Sequence, residues 1–78
     1  MQIEIITPDT KVYSGEISLA QFPGKDGSFE VLNNHAPIIA ILKKGKIKVI
    51  DKAKQTLNFE VSGGVVEVQN NKIIVLAE

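Results

Sequence analysis

From Thr56 to Ser62 every second side chain is apolar, with Leu57, Phe59 and Val61 alternating with Thr56, Asn58, Glu60 and Ser62. Successive side chains of a strand point to opposite faces, so this pattern describes a strand with one face buried and one wet. Ile47 and Val49 alternate in the same way with Lys46 and Lys48. Turn residues break the pattern at Thr7-Pro8-Asp9, Ser14-Gly15, Pro23-Gly24-Lys25-Asp26-Gly27, Asn33-Asn34, Lys44-Gly45, Ser62-Gly63-Gly64 and Asn70-Asn71. Short alternating strands at that spacing predict an all-β sandwich or barrel. The best helix candidate, His35 to Lys43, is rich in β-branched residues and contains Pro37, so it also reads as a strand.

The C-terminal hairpin is specified in most detail. A two-residue type I′ turn at Asn70-Asn71 sets Gln69 opposite Lys72, Val68 opposite Ile73 and Val66 opposite Val75. One face then carries Val66, Val68, Ile73 and Val75, a core face. The other carries Val65, Glu67, Ile74 and Leu76, which is too apolar for plain solvent exposure. Either the rest of the sandwich covers it or a partner does. In a domain this small, covering by the chain itself is the expected arrangement.

The chain has 78 residues, one domain spanning 1–78. At that size roughly 60–65% of the unfolded surface is buried, enough to fold alone with little margin. A 44% hydrophobic content suits a packed core, and without cysteine neither disulfides nor thiolate metal sites supplement it. Met1 runs directly into the alternating Gln2-Ile3-Glu4-Ile5, unlike a signal peptide. The longest apolar run, Ala36 to Leu42, contains Pro37 and is far too short for a bilayer span. These features lead to the expectation of a soluble, cytoplasmic chain that meets a membrane only through a partner.

Nine acidic and nine basic residues cancel, which removes any net pull toward nucleic acid or an anionic membrane. All the basic residues are lysines, so the bidentate fork that arginine offers to phosphates and guanine edges is missing. The run Lys43, Lys44, Lys46, Lys48, Lys52 and Lys54 therefore reads as a solvated strand face and hairpin, since no stacking aromatics accompany it.

Catalytic material is sparse. His35 is the one histidine, and it sits beside two asparagines on a turn, poor surroundings for a buried base. Asp26 and Glu30 lie near it in sequence at a spacing that fits no metal-ligand pattern. Gly24-Lys25-Asp26-Gly27-Ser28 lacks the spacing and the following helix of a phosphate-binding loop and reads as a mobile turn between strands. The residues thus assign no catalytic, cofactor or metal site and point to a binding or structural module.

Several ordered motifs identify one. Pro23-Gly24-Lys25-Asp26-Gly27-Ser28-Phe29-Glu30-Val31-Leu32, then His35-Ala36-Pro37, then Leu42-Lys43-Lys44-Gly45, resembles the first half of the N-terminal domain of ATP synthase epsilon subunits. Ser62-Gly63-Gly64-Val65-Val66-Glu67-Val68-Gln69 and Ile73-Ile74-Val75-Leu76-Ala77-Glu78 resemble its second half, and Val12-Tyr13-Ser14-Gly15 fits its early strand. Where the family often has Pro-Gly before His-Ala-Pro, this chain has Asn33-Asn34, and asparagine also adopts the left-handed turn that glycine provides. Glu30 stands where the family often has glycine, and Lys44 where it commonly has proline.

The resemblance implies a small flattened sandwich of two antiparallel sheets with roughly ten short strands. It implies a non-catalytic central-stalk subunit of a proton-translocating F-type synthase, a monomer when isolated. In the complex it would link the gamma subunit to the c-ring, peripherally, at the cytoplasmic face of the energy-transducing plasma membrane. By the same resemblance Lys25, Asp26, Gly27, Ser28 and the neighbouring His35 lie toward the c-ring. Val65, Ile74 and Leu76 are the gamma-facing candidates that the hairpin pattern supplies. Many family members continue into a helical hairpin that regulates ATP hydrolysis and in some binds ATP; a chain whose natural end is Glu78 would have neither function. The alternative class is a free-standing sandwich adaptor for a peptide or nucleic acid.

Overall fold

A computed structural model describes residues 1–78. Eight strands follow one another: β1 (Gln2–Ile6), β2 (Lys11–Gly24), β3 (Gly27–Leu32), β4 (Ile38–Leu42), β5 (Gly45–Asp51), β6 (Thr56–Val61), β7 (Gly64–Gln69) and β8 (Lys72–Ala77). The segment read as a strand in place of a helix is β4. The hairpin registers also stand as expected: Gln69 pairs with Lys72, Val68 with Ile73 and Val66 with Val75. Asn70 and Asn71 have φ of 53° and 58°, the left-handed pair a type I′ turn requires.

The strands form two layers joined by β2, whose 14 residues serve both. Its first half, Lys11 to Glu16, pairs with β1, which leads on through β8 and β7 to β4. Its second half pairs with β3 on one side and β5 on the other, and β5 carries β6. A register shift between Ile17 and Leu19 marks where the strand turns from one layer into the other. Gly24 opposite Leu42 joins the layers again at the far end of β2. The overall extents of 27 × 24 × 18 Å give the flattened shape.

Two details depart from the expected picture of about ten antiparallel strands. The count is eight, or nine when β2 is counted once in each sheet. The β1–β8 pair is parallel, with Ile3 beside Ile73 and Ile5 beside Val75. Parallel neighbours need a long crossover, and here the first and last strands use the whole intervening chain.

The core lies between the layers and is wholly apolar. Ile3, Ile5, Val66, Val68, Ile73 and Val75 of one sheet face Ile17, Ala20, Phe22, Val31, Ile47 and Val49 of the other, each 2% exposed or less. No polar or charged residue is buried. Phe22 and Phe29 stack obliquely at 5.4 Å, and Tyr13 of β2 meets Phe59 of β6 at 5.1 Å. Those spacings suit attractive offset contacts between rings, and the second pair closes one side of the sandwich.

Candidate interaction surfaces

His35 does not sit with the other residues expected to share its contact. Lys25 and Asp26 form the two-residue turn between β2 and β3, with Gly24 opposite Gly27. His35 lies beyond the other end of β3. Six residues of strand separate them, about 20 Å at the usual rise of ~3.3 Å per residue.

The two ends are anchored differently. At the tip, the Lys25 N–H donates to the Ile41 carbonyl at 2.8 Å, and the Lys43 N–H donates to the Pro23 carbonyl at 2.9 Å. The expected mobile turn is therefore tied to β4. A Cβ on Gly24 would strike the Gly27 carbonyl and the Phe29 ring, which is why glycine begins this turn. At the other end Asn34 takes a φ of 63°, the conformation expected of it. Its N–H donates to Asn71 Oδ1 at 2.8 Å, and the Met1 ammonium donates to Asn33 Oδ1 at 2.9 Å. His35 Nδ1 lies 2.7 Å from the Ala36 carbonyl. A carbonyl only accepts, so Nδ1 carries the proton. Asp26 belongs to the distant tip, and Glu30 lies within β3 opposite Gln21, so the acidic neighbours of His35 in sequence do not gather around it.

The lysines spread along one layer. Lys46 faces Glu60, and Lys48 lies between Gln21 and Asn58. Lys52 is 2.6 Å from Glu16, linking the β5–β6 turn to β2. Interleaved acids and amides give this face mixed polarity in place of a continuous positive stripe.

The second face of the C-terminal hairpin departs most from expectation. The sandwich does not cover it. Leu76 is 56% exposed, Val65 is 39% exposed and Ile74 is half-buried. The face continues onto β4, where Ile41 pairs with Val65 and Ile39 with Glu67. Ile39 and Ile41 are 73% and 58% exposed. Four of the six large apolar residues the chain leaves exposed thus lie together on β4, β7 and β8; Val12 and Leu32 are elsewhere. Contiguous apolar surface of this kind marks a contact site. The sequence carried a signal for the β4 part: Ile38 to Leu42 is apolar at every position, and a strand apolar on both faces must either be covered twice or meet a partner.

Comparison with known proteins gives the family. The model of the ATP synthase delta/epsilon chain β-sandwich domain matches residues 1–78. The chain belongs to that family. It is 39% identical to the ATP synthase epsilon chain of Chlorobium limicola, over 99% of this chain and 88% of that one. Identity to the epsilon chain of Caulobacter vibrioides is 37%, over 100% and 90%. For Pelotomaculum thermopropionicum it is 42%, over 97% of this chain and 56% of the relative, so relatives of two lengths share this domain. Among solved structures, a chain of the Euglena gracilis mitochondrial ATP synthase superposes with a TM-score of 0.87 at 15% identity, over 96% of this chain and 48% of that chain. A chain from the central stalk/c-ring structure of the Tetrahymena thermophila enzyme gives 0.80 at 19% identity, over 99% and 62%. At such identities these two matches speak to the fold.

Proposed function

We infer that this chain is a non-catalytic central-stalk subunit of an F-type ATP synthase, and that the outer face of β4, β7 and β8 is where it grips the gamma subunit. The observation carrying this reading is the uncovered apolar face on a domain of the epsilon-chain family. Val65, Ile74 and Leu76, joined by Ile39 and Ile41, supply the anchors. A few residues clustered in the desolvated centre of a contact carry most of its energy, and burying apolar surface there is favourable in proportion to the area covered.

The mechanical role follows from the core. A stalk subunit must pass torque between neighbours without yielding. Interlocked side chains at crystal-like density deform little under load. The layers are joined through β2 at both ends, so force applied to one sheet reaches the other through backbone hydrogen bonds as well as packing.

The second grip is assigned to the tip Lys25, Asp26, Gly27 and Ser28, which is polar and exposed and is braced against β4. Polar, wet contact suits the polar loops of a c-ring. His35, at the other end of β3, is left out of that contact. No helix of the chain is long and apolar enough to cross a membrane; attachment through the ring, at the cytoplasmic face of the energy-transducing membrane, needs none.

Size-exclusion chromatography of the chain mixed with the gamma subunit of the same synthase tests the assignment. A single co-eluting peak at micromolar concentration is expected. Two separate peaks would refute it.

A further inference from the structure

Two charges on the outer face of β7 and β8, Glu67 and Lys72, have no ion-pair partner in the chain, and Glu67 is the one that stands among apolar neighbours. Glu67 projects from β7, flanked across the sheet by Ile39 on one side and Ile74 on the other. The chain's two ion pairs lie elsewhere. Glu4, next along the same row on β1, is 3.1 Å from Lys11, and Glu16 is taken by Lys52. Lys72, on the same face toward the Asn70-Asn71 turn, forms no ion pair with Glu67. Glu67 is also the one polar residue lining a hollow of about 210 Å³ whose other walls are Ile39, Val65, Ile74 and Leu76.

In the free chain Glu67 is exposed to water. Any surface that covers the hollow removes that water, and an unpaired carboxylate in an apolar setting carries a heavy desolvation penalty. A purely apolar occupant therefore leaves Glu67, at the edge of the apolar face toward Gln69 and Lys72, without a partner. The hollow asks for a side chain with an aliphatic stem and a cationic head. Lysine and arginine have that form, since their methylenes pack on apolar surface while the charge reaches a polar partner. A charge-assisted hydrogen bond to Glu67 then replaces the lost water.

We propose that this hollow receives one lysine or arginine side chain from the docking partner, its stem along Ile39, Ile74 and Leu76 and its charge on Glu67. Glu67 thereby decides specificity on a face whose affinity comes from its apolar neighbours. The inference rests on the reading that gamma docks here, and the test separates the two.

Titration calorimetry with the purified gamma subunit compares the parent chain with Glu67→Gln, Glu67→Leu and Leu76→Ser. Removing one partner of a desolvated charge pair is expected to weaken binding roughly tenfold to hundredfold, for both Glu67 variants. Leu76→Ser should weaken binding as well, with thermal melts showing all three variants folded. If Leu76→Ser weakens binding while Glu67→Gln and Glu67→Leu bind as well as the parent or better, the cation is refuted and the docking face stands. If none of the three changes binding, the docking face itself is refuted.

Discussion

Replacing Ile39 by serine separates the stability of this domain from its binding. Ile39 is 73% exposed on β4, so the fold uses only about a quarter of its surface. Burying a whole isoleucine side chain is worth roughly 1.5–3 kcal/mol. Three-quarters of that, about 1–2 kcal/mol, remains to be gained when a partner covers the face. Ile39→Ser should therefore weaken gamma binding by a factor of roughly 5 to 30, while stability changes by about 0.5 kcal/mol or less, as for other surface substitutions. The control lies across the β4–β7 ladder at Val66, which pairs with Ala40 and is fully buried. Val66→Ser removes core volume and buries a hydroxyl, and should cost about 2–4 kcal/mol of stability. In a domain of this size that lowers the melting temperature by roughly 10 °C or more. Calorimetric titration against gamma and thermal unfolding by circular dichroism measure the two quantities. An Ile39→Ser chain that binds gamma as the parent does, or that melts many degrees lower, would refute the claim that this side chain is kept for a partner.

Two further outcomes follow from the backbone and the surface charges. Gly64 has a φ of +144°, and a Cβ there would strike the Leu76 carbonyl oxygen on β8; Gly27, at +131°, has open space around it. Gly27→Ala should lose about 1–2 kcal/mol from backbone strain alone, and Gly64→Ala at least about twice that because β8 must also shift; equal melting temperatures for the two variants would refute the steric account. Lys11 hydrogen-bonds Glu4 and Lys52 hydrogen-bonds Glu16, holding both carboxyls below their ordinary value of 4.5. A folded-state value lower than the unfolded one contributes stability above pH 4.5, lost as pH falls through the lower folded value. The melting temperature should drop over that acid range, and Lys11→Met with Lys52→Met should flatten the drop; an unchanged profile would refute the role of these pairs.

Local features were legible wherever a short-range rule decides them. The Asn70-Asn71 hairpin could be registered residue by residue because a two-residue turn leaves no freedom and the side-chain period is two. Asn34 could be placed in the left-handed region because asparagine tolerates it next to glycine-like turns. The core faces of β5, β7 and β8 followed from alternation alone. The separation of His35 from the Lys25-Asp26 turn was not legible locally, since a strand of six residues carries its two ends far apart however close they stand in the chain.

What the sequence by itself determined is an all-β chain with turns at known positions, an apolar set large enough for one core, and motifs that mark the epsilon-chain family. Tertiary structure alone decided that β1 and β8 lie parallel, that β2 serves two sheets, and that β4 lies against β7 so that Ile39 and Ile41 extend the apolar face of the C-terminal hairpin. The physical reason is common to all three. Alternation states which face of a strand is apolar, but whether that face is covered depends on which strands remain to cover it once two layers have closed on each other. Here β3, β5 and β6 are used up on the core side, and none of the eight strands covers the outer surface of β4, β7 and β8.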